Sequence, residues 1–80
     1  MKLPRNLNGD TLAYALQKFD YQITRQTGSH LRLTTQRNGE HHVTIPNHSP
    51  LKPGTLNGIL KSIANHFQLS REELLQKLFD

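Results

Sequence analysis

The amino-acid sequence predicts an α+β fold in which one antiparallel sheet of three strands is covered on one face by helices. Apolar residues recur with helical spacing before residue 20 and after residue 53, whereas residues 21–45 alternate between apolar and polar side chains. Glycines at positions 28 and 39 mark tight turns, so strands are expected at residues 21–27, at residues 30–35 and after residue 40. The predicted order is α-β-β-β-α-α, and we expect residues 1–80 to form a single domain.

Local signals mark where the three predicted helices begin. Asn8 is a candidate N-cap of the first helix, which should end near Asp20. Pro53 suits the first turn of the second helix. Ser70 and Glu73 form a capping box in front of the third helix, expected at residues 71–79. The apolar faces of the first two helices consist of Leu12, Ala15, Leu16 and Phe19, and of Leu56, Ile59, Leu60 and Ile63.

The connection between the second and third strands decides which side chains share a face. A two-residue turn at Asn38-Gly39 would place Leu33 opposite Thr44, an apolar residue beside a polar one. A three-residue loop with Gly39 in the left-handed conformation would place Leu33 opposite Val43. Because a one-residue slip turns every side chain to the other face, we predict the three-residue loop.

The polar face of the predicted sheet is basic and carries the candidate site. His30 begins the second strand directly after a Gly-Ser turn, and it shares the polar face with Arg32 because apolar residues alternate with them. The predicted register sets His30 opposite Pro46, at an open end of the sheet. His41 should instead point towards the core side, near the far turn.

The charge of the chain favours a polyanionic partner. Ten Lys and Arg against six Asp and Glu give a formal net charge of +4, and eight of the ten lie in residues 1–69. Nucleic acid is the commonest partner of such a surface, although charge can also serve solubility alone. The residues expected to hold phosphate groups are Arg25, Arg32, Arg37 and Lys52.

The composition excludes several classes of protein. Without cysteine the chain has neither a disulfide framework nor a thiolate zinc site. No apolar run approaches the roughly 20 residues of a membrane span, and no apolar segment of a signal peptide follows Lys2 and Arg5, so we expect a cytoplasmic protein. His41 and His42 would point to opposite faces of a strand and could not bind one ion together, so neither a metal nor a cofactor is expected.

Cleavage of RNA would require few protein groups, because the 2′-hydroxyl nucleophile belongs to the substrate. The protein must remove its proton, stabilise the charged phosphorane-like state and protonate the leaving oxygen. His30 is the candidate base, and we expect this single histidine to serve as the general acid/base. The candidate substrate-binding residues around it are Arg25, Ser29, Arg32 and Lys52. The residues alone leave two alternatives open: an exposed strand-end histidine without a role, and a module that binds RNA or protein without cutting.

Four short segments occur in an order and spacing that resembles a known protein family. They are Gly28-Ser29-His30, the sequence Val-Thr-Ile-Pro-Asn-His at residues 43–48, Lys-Pro-Gly-Thr-Leu at residues 52–56, and Leu-Ser-Arg-Glu-Glu-Leu at residues 69–74. Together they resemble the HicA family of toxins, small mRNA-cleaving proteins of bacterial toxin–antitoxin pairs. The resemblance covers nearly the whole chain.

The resemblance implies a fold like that of the double-stranded-RNA-binding domain and the activity of a metal-independent mRNA interferase. It places the catalytic histidine at His30, because the family's histidine follows a Gly-Ser pair. Many members carry a second histidine directly after it, where this chain has Leu31. The implied partners are an mRNA substrate and a HicB-like antitoxin that covers the active site. If His30 is not the base, His48, near the same strand end, is the next candidate.

Overall fold

The computed structural model describes residues 7–79, and its elements follow the predicted order. The chain forms α1 (Gly9–Ala15) with a following 3-10 turn (Leu16–Phe19), then the strands β1 (Gln22–Thr27), β2 (His30–Thr35) and β3 (His41–Pro46), and finally α2 (Pro53–Phe67) and α3 (Arg71–Phe79). The strands form one antiparallel sheet in the order β1-β2-β3, which confirms the α+β fold class. The N-terminal Lys2 and Arg5 lie outside the described residues.

The pairing of β2 with β3 confirms the predicted register. Leu33 lies opposite Val43, so the apolar side chains of both strands face the core. Gly39 has a φ of 97°, and its N–H donates to the carbonyl of Gln36 over 3.1 Å. Asn38 also takes a positive φ, of 60°. The connection therefore has two residues with left-handed backbone conformation, whereas one was expected.

The helix boundaries follow from their caps. The side chain of Asn8 accepts the N–H of Thr11 at 3.0 Å, which confirms it as the N-cap of α1. Ser70 and Glu73 exchange hydrogen bonds of 2.9 and 3.1 Å, as a capping box requires. These bonds hold the pKa of the Glu73 carboxyl below its usual value. The first α-helix is shorter than expected, because its last turn is a 3-10 turn that ends where Asp20 adopts a left-handed φ of 64°.

The core lies between the helices and one face of the sheet. Buried and exposed residues alternate along β2 and β3, so each strand has one face packed and one open. The side chains of β1 are all exposed, whereas β3, at the other edge of the sheet, buries Val43 and Ile45. No helix within residues 7–79 is both long enough and apolar enough to cross a lipid bilayer. The largest fully buried apolar side chains are Tyr21, Leu12, Leu16, Leu31, Leu33, Ile45, Leu60, Ile63, Leu74, Leu75 and Leu78.

Candidate functional site

One face of the sheet is not covered by the helices, and we call it the open face; on β2 it carries His30, Arg32 and Thr34. His30 lies at one end of this face. Gly28 and Ser29 form the turn between β1 and β2, and Gly28 takes the positive φ, 56°, that such a two-residue turn needs. His30 follows as the first residue of β2, between Thr27 on β1 and Pro46 on β3. Its imidazole is exposed and has no hydrogen-bond partner among residues 7–79. The ring is therefore accessible to a substrate.

The segment after β3 is held beside this turn from two sides. The N–H of Asn47 donates to the carbonyl of Ser29 over 2.5 Å, which extends the contact between the two strands past their ends. On the other side, the N–H of Gly9 donates to the carbonyl of His48 over 3.1 Å. A Cβ at Gly9 would lie only 2.5 Å from the carbonyl oxygen of Pro46. A glycine at position 9 is therefore needed for α1 to approach this segment so closely.

A bulge in β1 brings a second arginine onto the open face. The pairing of β1 with β2 skips Thr24 before Arg25 pairs with Arg32. Because paired residues share a face, the extra residue turns Arg25 to the open side beside Arg32. Strict alternation from the buried Tyr21 would have placed Arg25 on the core side, so the sequence pattern alone does not reveal this neighbour.

The two remaining predicted phosphate-binding residues, Lys52 and Arg37, lie in connections outside the strands. Lys52 is exposed and immediately precedes α2, on the connection that follows β3. Arg37 lies in the β2–β3 connection, at the opposite end of β2 from His30. Its guanidinium donates to the carbonyl of Lys18 at 3.1 Å and lies 5.7 Å from the ring centroid of Phe19. Arg37 also lies 3.8 Å from a carboxylate oxygen of Asp20, so its neighbours hold it at the end of β2 opposite to His30.

His41 and His66 form a stacked pair that ties α2 to the β2–β3 connection. Their ring centroids are 4.5 Å apart and the rings are inclined by 14°. Nδ1 of His41 lies 2.7 Å from the hydroxyl of Tyr21, which confirms that His41 points towards the core side. Burial, followed by the nearby imidazoles of His66 and His42, lowers the pKa of His41, and burial raises the pKa of Tyr21 to about 12. Sequence reasoning did not find this pair, because its members come from different elements.

His42 is also engaged, at the far end of the open face. Its Nδ1 lies 2.7 Å from the hydroxyl of Thr34, and its Nε2 lies 2.9 Å from a carboxylate oxygen of Glu40. Thr34 is four residues beyond His30 on β2, which separates the two imidazoles by roughly 13 Å along the strand. Of the five histidines, only His30 and His48 have rings without a partner in the described part of the chain.

This end of the open face thus combines a free imidazole with fixed positive charge. His30 supplies an exposed imidazole, and the guanidinium groups of Arg25 and Arg32 can bind phosphate oxygens. Within residues 7–79, no three His, Asp or Glu side chains are grouped so that they could hold a metal ion. The arrangement suits proton transfer on a bound polyanion.

A comparison with protein families gives the decisive match. The family model described as "HicA toxin of bacterial toxin-antitoxin" matches residues 9–64, which include the Gly-Ser-His turn, both arginines of the open face and His48. The chain belongs to the HicA toxin family. The resemblance drawn from the four segments is confirmed, and the observed sheet and helices agree with the fold like the double-stranded-RNA-binding domain that this family adopts. Comparison with curated proteins and with solved structures gave no significant match.

Membership in the HicA family identifies this protein as a toxin of a toxin–antitoxin system. It implies an antitoxin as partner and a ribonuclease as the kind of toxin. The match covers the sheet and most of α2, whereas α3 lies beyond it. The residues of the open face therefore belong to the part of the chain that defines the family.

Proposed function

We propose that this HicA toxin cleaves mRNA with His30 as the general base and without a metal ion. The observation that supports the proposal is the exposed imidazole of His30, free of any partner in residues 7–79, at the end of an open face that also carries Arg25 and Arg32. The rings of the other three histidines, His41, His42 and His66, form hydrogen bonds with neighbouring residues.

The proposed reaction uses the 2′-hydroxyl of the substrate as the nucleophile. His30 removes its proton, and the 2′-oxygen attacks the adjacent phosphorus while the bond to the 5′-oxygen breaks. Arg25 and Arg32 stabilise the negative charge that develops on the phosphoryl oxygens, and Ser29 and Lys52 contact the RNA on either side. The leaving 5′-oxygen takes up a proton from water or from a protonated side chain, so the products are a 2′,3′-cyclic phosphate and a 5′-hydroxyl. A strand that lacks the 2′-hydroxyl cannot react.

The proposed partners, an antitoxin and mRNA, would both bind at the open face of the sheet. A HicB-like antitoxin that covers His30 and the arginine pair would exclude RNA from the site. A toxin that acts on mRNA works in the cytoplasm, where that substrate is found. If the open face only held RNA across an A-form groove, the protein would be a binding module and the RNA would stay intact.

Incubation of the purified protein with single-stranded RNA in the presence of EDTA tests the proposal. Wild-type protein should cleave the RNA and leave a 2′-O-methylated copy intact. His30→Ala should lower the cleavage rate by about 10²–10⁴-fold, the usual contribution of a general base, and should no longer arrest growth when expressed. Its thermal unfolding should stay close to that of the wild type, because an exposed ring without a partner adds little stability.

His42→Ala is the matched control, because it removes an imidazole from the same open face at the far end of β2. It should retain cleavage. Tight binding with intact RNA would instead support the binding module. Full toxicity of folded His30→Ala would contradict the role of His30.

A further inference from the structure

We propose that His48 is a second catalytic residue, the general acid that protonates the leaving 5′-oxygen. This inference rests on the proposed function, since it assigns a group to the step that His30 cannot perform. A single imidazole that has just accepted the proton of the 2′-hydroxyl lies on the nucleophile's side of the phosphorus. The oxygen that leaves is on the opposite side, so a second proton donor is needed there.

The backbone places His48 close to His30. Pro46 lies directly opposite His30 in the sheet, at a Cα–Cα distance of roughly 5 Å for such a pair. The contact continues past the strand end through the hydrogen bond from Asn47 to Ser29. His48 is the next residue, at most about 7 Å beyond Pro46 along the chain. Its side chain therefore starts from the same end of the sheet as His30.

The position of His48 is also fixed from the helical side. Its carbonyl accepts the N–H of Gly9 at 3.1 Å. The contact requires the absence of a side chain at Gly9, where a Cβ would also lie 2.9 Å from the Cα of Asn47. The main chain of His48 is thus held on both sides while its exposed ring remains without a partner among residues 7–79. Such a ring can exchange its proton with solvent between turnovers.

The other charged groups near this segment are less suited to the task. Asp10, in the first turn of α1, supplies a carboxylate, and Lys52 and Arg32 supply an ammonium and a guanidinium group. The side chain that most often performs general acid–base catalysis is an imidazole. His30 and His48 are the two imidazoles that the backbone pairing brings to this end of the sheet.

The proton balance of the reaction is then complete. The cycle begins with His30 neutral and His48 protonated. His30 accepts the proton of the 2′-hydroxyl, the bond between the 2′-oxygen and phosphorus forms, and the bond between phosphorus and the 5′-oxygen breaks. His48 donates its proton to that oxygen, so the products are a cyclic phosphate and a 5′-hydroxyl. Exchange with water returns both rings to their starting states.

A substrate with a better leaving group separates the two roles. In an RNA whose 5′-bridging oxygen is replaced by sulfur at the cleaved linkage, the thiolate leaves without protonation. His48→Ala should lose about 10²–10⁴-fold in rate on ordinary RNA and less than about tenfold on the sulfur-containing RNA. His30→Ala should lose activity on both substrates, because the nucleophile still needs its base.

The pH dependence of kcat/KM gives a second readout. A base and an acid of the imidazole type produce a bell-shaped profile in the wild type. His48→Ala should lose the decrease on the alkaline side and keep the decrease on the acidic side. His42→Ala, which removes an imidazole at the far end of the open face, should keep the complete bell.

The outcomes also separate this inference from the proposed function. Absence of cleavage by the wild type, or undiminished cleavage by His30→Ala, would overturn the proposed function and with it the role of His48. Cleavage that depends on His30 but is unchanged in His48→Ala would overturn the role of His48 alone. An equal loss on both substrates in His48→Ala would do the same, because a group needed only for binding or folding does not distinguish oxygen from sulfur.

Discussion

Gly9 is the residue at which a single added methyl group is expected to disturb the candidate site. Its Cβ would lie 2.5 Å from the carbonyl oxygen of Pro46 and 2.9 Å from the Cα of Asn47. These are backbone atoms that cannot rotate away, so Gly9→Ala should lower the free energy of unfolding by about 1–3 kcal/mol. It should also slow RNA cleavage by displacing the segment that carries His48. Urea denaturation and a cleavage assay measure the two effects.

Gly58→Ala is the control for that substitution. Gly58 is an exposed residue within α2, and a Cβ there would meet no atom within 4 Å. The change should therefore raise the free energy of unfolding by roughly 0.5–1 kcal/mol through helix propensity. If Gly9→Ala proved as harmless as Gly58→Ala, α1 would not approach the end of β3 as closely as the structure indicates.

The sequence predicted the positions of residues whose neighbours in space are also their neighbours in the chain. His30 could be placed at the start of a strand because Gly28 and the alternation after it are neighbours in the chain. Arg25 could not be placed on its face, since one extra residue in β1 reverses the alternation and nothing beside it signals a bulge. The tight contact at Gly9 was equally hidden, because the atoms that crowd it belong to the end of β3.

The contact between α2 and the β2–β3 connection should make the stability of the protein depend on pH. Burial and the neighbouring imidazoles of His66 and His42 lower the pKa of His41 in the folded state. In the unfolded chain His41 takes the ordinary value for histidine, about 6.5, so between the two values the unfolded state binds more protons. The free energy of unfolding should therefore decrease as the pH is lowered below about 6.5. Urea denaturation between pH 8 and pH 5 measures this dependence.

His41→Gln should reduce the dependence, because the substituted side chain does not titrate in this range. His30→Ala is the matched control, since it removes a histidine that has no partner among the described residues. It should leave the decrease in place. A pH dependence that is the same in His41→Gln as in the wild type would mean that another group is responsible.

The order and register of the helices and strands were predicted from the sequence more accurately than the residues at which they end. The register of β2 and β3 followed from the requirement that Leu33 and Val43 share the apolar face, a condition that only one loop length satisfies. The end of the first helix was less predictable. Its final 3-10 turn and the left-handed φ of Asp20 depend on how the chain turns back to bury Tyr21, which is a tertiary effect.

The distribution of charge over the molecule favours RNA on the open face of the sheet. Eight of the ten Lys and Arg residues precede residue 70, whereas Glu72 and Glu73 lie in the first turn of α3. The arginine pair of the open face is exposed, and α2 packs against the sheet from the other side. An RNA bound across the open face would meet Arg25 and Arg32 and avoid the acidic turn.

The affinity for RNA should accordingly depend steeply on salt, because bound lysine and arginine side chains displace the counterions of the phosphates. Arg32→Ala should weaken binding and reduce the slope of log K against log [salt] by about one. His30→Ala provides a cleavage-deficient background for the titrations, which fluorescence anisotropy can follow between 50 and 200 mM salt, roughly the range over which such contacts are lost. Lys61→Ala, in the exposed part of α2, is the matched control and should leave the slope unchanged. An equal slope with and without Arg32 would place the RNA away from the open face, because a cation that touches no phosphate releases no counterion.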